Sequence, residues 1–370
     1  MTKLHVGIVA PTLGILGGHA VQAEQLLRGW QDDPAVAAWL IPINPLPPRG
    51  LRFALRVKYL RTLVTEGIYL PQLVREIWKA DVVHVFSASY LSFLLAPLPA
   101  ILVARALGRP VVLNYHSGEA ADHLRRSPLA RAVLRSVDRI VVPSPFLAEV
   151  FARVDLDASV VPNTIDAAQF AYRPRQPLRP RILSTRNLDD PYNVACTLRA
   201  FRLIQDRWPD ASLTLVGGGA HERRLGDLAA ELRLANVRFA GRVPPAAVHT
   251  YYADHDIYMQ SPDIDNMPLS VLEAFASGLP VVSTDAGGMR HLVTPETSGL
   301  LAPTGDHRGL AAHVLRLLDS PDLARRLASA AHASCHRYCW PTVRDHWLAV
   351  YRSVSRNPVP ATAVMGGPTS

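Results

Sequence analysis

The sequence predicts an α/β protein built from two doubly wound, parallel-sheet, Rossmann-like domains facing each other across a cleft. Three observations carry this. The 370 residues exceed one ordinary core and suit two. Short apolar runs, rich in β-branched residues and closed by Gly, Pro, Ser or Asn, alternate with helical stretches throughout. The alternation comes as two series, divided by a stretch rich in Pro and Arg.

In the first series KLHVGIVAP, AWLIPIN, ADVVHVF, PVVLNYH and DRIVVPS read as buried strands. In the second, RPRILSTR, ASLTLVGGG, NVRFAG, DIYMQSP and LPVVSTD are strands, with CTLRAFRLIQDRW, ERRLGDLAAELR, PPAAVHTYYADH and PLSVLEAFASG as helices. Strands that alternate with helices form a parallel sheet covered on both faces. AAQFAYRPRQPLRP is the expected linker. The first domain then spans 1–172 and the second 173–340. A C-terminal helix over 341–357 completes the first domain, and a small-residue tail over 358–370 is expected to be disordered. Open α/β sheets bind ligands at the C-terminal ends of their strands, so the site belongs in the cleft.

Composition removes several classes of function. With 49% hydrophobic and 19% charged residues the chain is globular rather than disordered. Cys196, Cys335 and Cys339 are odd in number and form no CxxC, which fits a reducing cytoplasm. No window offers about 20 uninterrupted apolar residues, and YLSFLLAPLPAILVARAL is broken by Pro97 and Pro99. The N-terminal apolar run meets Pro11 and lacks a cleavage site, so no signal peptide is expected. The net charge is +8, and 19 basic against 13 acidic residues lie before Gln176. That balance favours phosphates or an anionic membrane face. Nucleic acid is not expected, since zinc spacing, aromatic–basic interleaving and Gly-Arg tracts are missing.

The most informative stretch is SPDIDNMPLSVLEAFASGLPVVSTDAGG, residues 261–288. Pro268 suits a first helical turn, Asp265 or Asn266 an N-cap, and Gly278 with Pro280 a stop. Leu269, Val271, Leu272, Phe275 and Ala276 cover most of this helix, which buries Glu273, its only charge. A buried carboxylate needs a partner. That partner is either a structural hydrogen-bond donor or a ligand hydroxyl such as a ribose offers. The helix N-terminus presents N–H groups to phosphates. The following Asp285-Ala286-Gly287-Gly288 turn lets backbone approach a ligand.

This block resembles the signature of family 4 of the retaining glycosyltransferases, which adopt the GT-B fold. Such enzymes carry Glu-x7-Glu here, where this chain has Asp265-x7-Glu273. The resemblance implies that Glu273 accepts the ribose hydroxyls of a nucleoside diphosphate sugar. Asp265 and the run Asn266, Met267, Pro268 and Leu269 would face its sugar and diphosphate. APTLGILGGHAVQA is similar to the family's N-terminal loop, with Gly17 and Gly18 against donor phosphate and acceptor. VVPNTIDAAQF matches V-P-N-G-x-D-x-x-x-F. LVGGGAHERRL and VRFAGRV match V-G-x-G and F-x-G-x-V, which adds Gly217, Gly219, Arg242 and Val243 to the donor side. His116, ending PVVLNYH, would lie beside the donor sugar; its other reading is a strand-end His satisfied by backbone.

One departure stands out. The family carries G-R-L-x-x-x-K-G, its Arg and Lys clamping the diphosphate. Here Arg186 holds the Arg place, Tyr192 the Lys place and Asn193 the Gly place. Another basic group replaces the Lys, or the chain uses Tyr and Asn, or it is a purely binding relative.

Other candidates have plainer alternatives. His84 ends a strand in the same manner as His116. Glu119 and Asp122 could contact the acceptor. Asp263-Ile264-Asp265 spells D-x-D, which in another fold holds a metal; before a phosphate-facing helix no metal is expected. RGLRFALRVKYLRTLV, residues 49–64, has five basic groups and no acid; read as one helix, Arg49, Arg52 and Arg56 share a face while Lys58 and Arg61 fall on the other side. It is a peripheral membrane patch for a lipid-linked acceptor or a solvated basic face. The expectation is a cytoplasmic enzyme, peripheral at the inner membrane face if that patch is used. It needs no cofactor beyond its nucleotide-sugar co-substrate and transfers sugar with retention to a hydroxyl acceptor. A sugar-nucleotide epimerase, a phosphorylase and a non-catalytic binder are the rivals. The family's front-face attack, with leaving phosphate as base, agrees with the lack of an evident protein nucleophile.

Overall fold

The computed structural model describes residues 3–12 and 17–356; the expected tail 358–370 lies outside them. Strands β1 (Leu4–Ala10), β2 (Val36–Pro42), β3 (Val82–Ser87), β4 (Val111–Tyr115), β5 (Arg139–Val142) and β6 (Ser159–Val160) form one sheet, in the order β2-β1-β3-β4-β5-β6. Strands β7 (Arg181–Thr185), β8 (Ser212–Val216), β9 (Val237–Gly241), β10 (Ile257–Met259), β11 (Val281–Thr284) and β12 (Leu300–Ala302) form the other, in the order β12-β11-β10-β7-β8-β9. Every pairing within both sheets is parallel. Winding reverses at the β1/β3 seam of the first sheet and at the β7/β10 seam of the second, the places where such sheets open a ligand crevice.

Successive residues feed opposite faces of each sheet, as a period of two requires. Val83 and Val111 enter one apolar layer while Val82 and Val112 enter the other. That second layer is closed by the helix Trp340–Val354, which buries Val343, Trp347, Leu348 and Tyr351 against Val6, Ile8 and Trp30. The Trp30 and Trp340 rings meet edge-on at 4.8 Å, and Arg344 donates to the Asp33 carboxylate at 2.6 Å. The end of the chain thus serves the first sheet.

Several expectations need correction. Strands β6 and β12, of 2 and 3 residues, escaped the sequence reading because runs that short show no period. The stretch expected as the linker packs against the second half. Phe170 is buried in the second half, and Arg175 is buried, donating to the carbonyls of Arg173, Tyr252, His255 and Ser277. Residues 49–64 do not make one helix. A 3-10 helix Arg49–Arg56 gives way at the extended Val57 to the α-helix Lys58–Ile77, so one helical wheel cannot describe their faces. Pro268 is the N-cap of the Leu269–Ser277 helix rather than its first residue, and no side chain caps it; Gly278, at φ 73°, ends it.

Contacts also order the chain where it passes between the halves. Gln22 and Thr164 exchange amide hydrogen bonds of 2.7 and 2.9 Å, and the Tyr338 carbonyl accepts from Ile165 N–H at 2.8 Å. The two chain crossings, near 164 and 338, therefore lie side by side. Among the described residues no helix is long and apolar enough to cross a membrane.

Candidate active site

A cleft of about 740 Å³ opens between the C-terminal ends of the two sheets. Both seams feed it. After β1 come Gly17, Gly18 and His19; after β3, Ala88 to Ser92; after β4, His116 to Glu119. From the second half come Arg186 after β7, Gly217 after β8, Arg242 and Val243 after β9, and the turn and helix start from Ile264 to Ser270 after β10.

Arg186 is the hub. Its side chain is 9% exposed and pairs with the Asp265 carboxylate, itself 11% exposed. Nη1 donates to Ser270 Oγ at 3.1 Å, and the guanidinium carbon lies 4.5 Å from the centre of the Tyr192 ring. Gly217, at φ 142°, makes this possible: a Cβ there would stand 2.0 Å from the Arg186 carbonyl oxygen. No L-residue with a side chain fits.

Glu273 faces the same cleft from one turn into its helix. Tyr252 O–H donates to its Oε2 at 2.7 Å, and Thr185 Oγ1 lies 2.6 Å from the Tyr252 oxygen. A tyrosine has one proton; it faces Glu273 Oε2 and, at the longer 3.1 Å, the Ser270 carbonyl, and with that proton so engaged the oxygen accepts from Thr185. Burial raises the Glu273 carboxyl to about 7, against the lowering pull of Tyr252 and Arg186. This Tyr252 donor was missed, since nothing in PPAAVHTYYADH marks it.

The Asp265–Pro268 turn is held by the other half. Ser144 Oγ bonds Asn266 Oδ1, and Asn163 Nδ2 donates to the Met267 carbonyl at 2.8 Å. Asn266 and Met267 are buried. The Gly287-Gly288 turn corrects the sequence reading. A Cβ at either residue would stand 2.2 Å from the carbonyl oxygen of Asp265 or Asn266. The glycines therefore admit that turn and do not line the cleft.

Across the cleft, the His116 and Phe86 rings stack at 5.2 Å, and His19 lies 5.2 Å from His116 on another side. Burial, helped by His19 and His84, holds His116 well below the ordinary imidazole range, and burial alone lowers His19 to about 4. Both are neutral at pH 7. His19 was also missed, although it directly follows Gly17-Gly18. His84, by contrast, is buried with Nδ1 2.8 Å from the Tyr351 hydroxyl, outside the cleft. Its role is to seat the C-terminal helix.

Two expected donor contacts fall outside the lining. Asn193, at φ 40°, caps the Val194–Arg207 helix through Cys196 N–H, and its amide donates to Asp263 at 3.1 Å. Gly219 packs against the Leu188 carbonyl, where a Cβ would stand 2.5 Å away. Glu119 lines the cleft. Asp122 instead accepts from Tyr90, Arg125 and Arg126. Among the described residues no three His, Cys, Asp or Glu side chains are grouped to hold a metal.

Four buried polar atoms in the lining have no hydrogen-bond partner: His116 Nε2, Asn163 Oδ1, Arg186 Nε and Asn266 Nδ2. Buried polar groups are rarely left so. Eight more such atoms lie elsewhere among the described residues, so it is the company of these four with Glu273 and a helix N-terminus in one cleft that suits a polar ligand.

Comparison with known proteins agrees with this geometry. Residues 169–334 match the model "Glycosyl transferases group 1", and residues 16–169 match "Glycosyltransferase Family 4". A phosphatidyl-myo-inositol mannosyltransferase of Mycolicibacterium smegmatis is 26% identical over 95% of this chain and 94% of its own length. A glycogen synthase of Mycobacterium tuberculosis is 27% identical over 80% of this chain and 74% of its own. In fold, Anabaena HepE, solved with UDP and glucose, superimposes with a TM-score of 0.75 at 17% identity, over 95% of this chain and all of that one. Sucrose-phosphate synthase from Thermosynechococcus elongatus gives 0.72 at 19% identity, over 95% and 99%. Two six-stranded parallel sheets facing across a cleft are the GT-B architecture, and the chain is a glycosyltransferase belonging to the group 1, family 4 glycosyltransferases.

Proposed function

We propose that the chain transfers a sugar from a nucleoside diphosphate sugar to a hydroxyl acceptor, with retention and without a metal. One observation carries this reading: the four unpartnered polar atoms stand in the same cleft as Arg186, Glu273 and an uncapped helix N-terminus. Glu273 accepts the ribose hydroxyls. Arg186 and the positive end of the Leu269–Ser277 helix take the diphosphate. His116, neutral and with Nε2 free of protein partners, hydrogen-bonds a sugar hydroxyl. That HepE has been solved with UDP-glucose supports a nucleotide-sugar donor.

The acceptor O–H attacks the anomeric carbon as the bond to the diphosphate breaks. The proton passes to the departing phosphate oxygen. Charge grows on that phosphate, so Arg186 and the helix N–H groups act where stabilisation counts most. Closure about the 164/338 crossings excludes water.

The acceptor is proposed to be lipid-linked, reached at an anionic bilayer. Leu63, Trp78 and Leu91 are 71, 65 and 66% exposed, and Phe53 and Leu70 are exposed with them. Arg49, Arg52, Arg56 and Arg61 are exposed in the same segment, and residues 34–65 contain no acid. Tyr90 and Leu91, exposed as well, belong to the cleft lining. Apolar side chains rimmed by cations suit an anionic lipid surface.

The test is nucleotide release from UDP-, GDP- and ADP-sugars, with and without dispersed phosphatidylinositol, diacylglycerol or alkyl glycosides. Product configuration is read by NMR. Acceptor-dependent release with a retained anomer, insensitive to EDTA, is expected. Donor conversion without acceptor indicates an epimerase, and a phosphate requirement indicates a phosphorylase. Sedimentation with phosphatidylglycerol vesicles, and not with phosphatidylcholine alone, tests the surface; Leu63→Asp with Arg56→Glu should abolish it.

A further inference from the structure

Among the described residues the cleft lining holds two cations, Arg186 and Arg242, and no lysine. Where the family resemblance implies a Lys, this chain has Tyr192. We propose that Tyr192 is a positioning residue whose ring holds the Arg186 guanidinium in place for the donor diphosphate. This inference rests on the donor reading above.

The argument begins with the geometry of a guanidinium. Its N–H donors lie in its plane, and its face is free to stack. In this structure Asp265 and Ser270 engage the edge, while the guanidinium carbon stands over the Tyr192 ring, 4.5 Å from its centre. A diphosphate binds at the edge too, at donors beside those that Ser270 and Asp265 hold, and its charge works against the Asp265 contact. When it displaces that contact, an edge-held arginine loses its orientation. A face-held one keeps it, because the aromatic contact and the phosphate contact use different parts of the group.

The ring is itself fixed. Tyr192 ends the 3-10 turn Asp190–Tyr192, directly before the helix-capping Asn193. The Pro191 carbonyl accepts from Asp263 N–H at 2.9 Å, and the Asn193 carbonyl from Ser261 Oγ at 2.7 Å. The turn carrying Tyr192 and the segment leading to Asp265 are thereby stitched together, so both walls around Arg186 form one frame. Tyrosine here does not replace a lost charge. It spares the remaining cation the loss of freedom that a long side chain otherwise suffers on binding.

The experiment is calorimetric titration of UDP, GDP and ADP into five proteins: wild type, Tyr192→Leu, Tyr192→Phe, Arg186→Gln, and Tyr192→Leu combined with Arg186→Gln. Tyr192→Leu should weaken the preferred nucleotide by about tenfold, the scale of a partly desolvated cation–π contact. Tyr192→Phe should recover most of that loss. In the Arg186→Gln background the Leu change should cost nothing further. Thermal unfolding checks that each variant is folded. If Phe is as poor as Leu, the hydroxyl acts and the ring claim falls. If the Leu loss persists undiminished beside Arg186→Gln, Tyr192 does not act through Arg186. Equal affinity of wild type and Tyr192→Leu overturns this proposal alone, whereas a wild type that binds neither nucleotide, nor ADP, overturns the donor reading with it.

Discussion

Glu273 sets how the cleft responds to pH. Burial holds its carboxyl near 7, so around neutrality it exchanges a proton. Ribose hydroxyls donate to the ionised form, so donor binding favours loss of that proton. Affinity should be full above about 7 and fall below it, by as much as about tenfold per pH unit. Glu273→Gln should lose this component, leaving only the nucleotide's own titration; an unchanged pH profile would remove Glu273 from the ribose. The sign for stability is opposite. A carboxyl raised in the folded state favours folding most below the ordinary carboxylate range, and that contribution is lost as pH climbs through about 7. Tyr252→Phe removes the Glu273 donor and should cost about 1–3 kcal/mol in thermal or urea unfolding. Arg186→Ala should cut transfer by about 100-fold or more, as loss of a transition-state charge stabiliser does, with the fold intact. Glu273 was legible in the sequence because a lone charge in an apolar helix needs a partner, and Arg186 only through the family resemblance. Tyr252 and His19 were not, because their roles arise from packing between distant segments.

Gly217 shows how an element's end builds the site. Strands β7 and β8 run parallel, and their C-terminal ends close to contact only because residue 217 has no side chain and adopts a positive φ. Gly217→Ala should push the Arg186 backbone aside. Destabilisation of about 1–3 kcal/mol is expected from backbone strain. Nucleotide affinity should fall by more than stability alone explains, which paired unfolding and titration measurements will show. The longer strands were readable from their β-branched runs, and the Leu269–Ser277 helix from its stop at Gly278. The break at Val57 was not, since basic residues occur equally well in 3-10 and α-helical turns. Gly287 and Gly288 were seen as special, but only the structure shows that the approaching group is the Asp265–Asn266 backbone rather than a ligand.

At the scale of the molecule, the first sheet depends on the last helix. Val343, Trp347, Leu348 and Tyr351 cover one face of it, and Arg344 ties the helix to Asp33. Ending the chain after Cys339 uncovers that face, at about 1.5–3 kcal/mol for each large apolar side chain lost. Such a truncation should be insoluble or lack cooperative unfolding; a folded, soluble product would contradict this packing. The two-sheet plan was legible in the alternation of runs, whereas the pairing of the 164 and 338 crossings needed tertiary geometry. Whether the cleft is a nucleotide-sugar site is tested most directly by thermal shift with UDP, GDP, ADP and NAD, with and without EDTA. At 100 times its dissociation constant a ligand adds about 2.7 kcal/mol. The account predicts stabilisation by one nucleoside diphosphate, unaffected by EDTA and lost in Glu273→Ala. A shift with NAD alone, one abolished by EDTA, or one that survives intact in Glu273→Ala would contradict it.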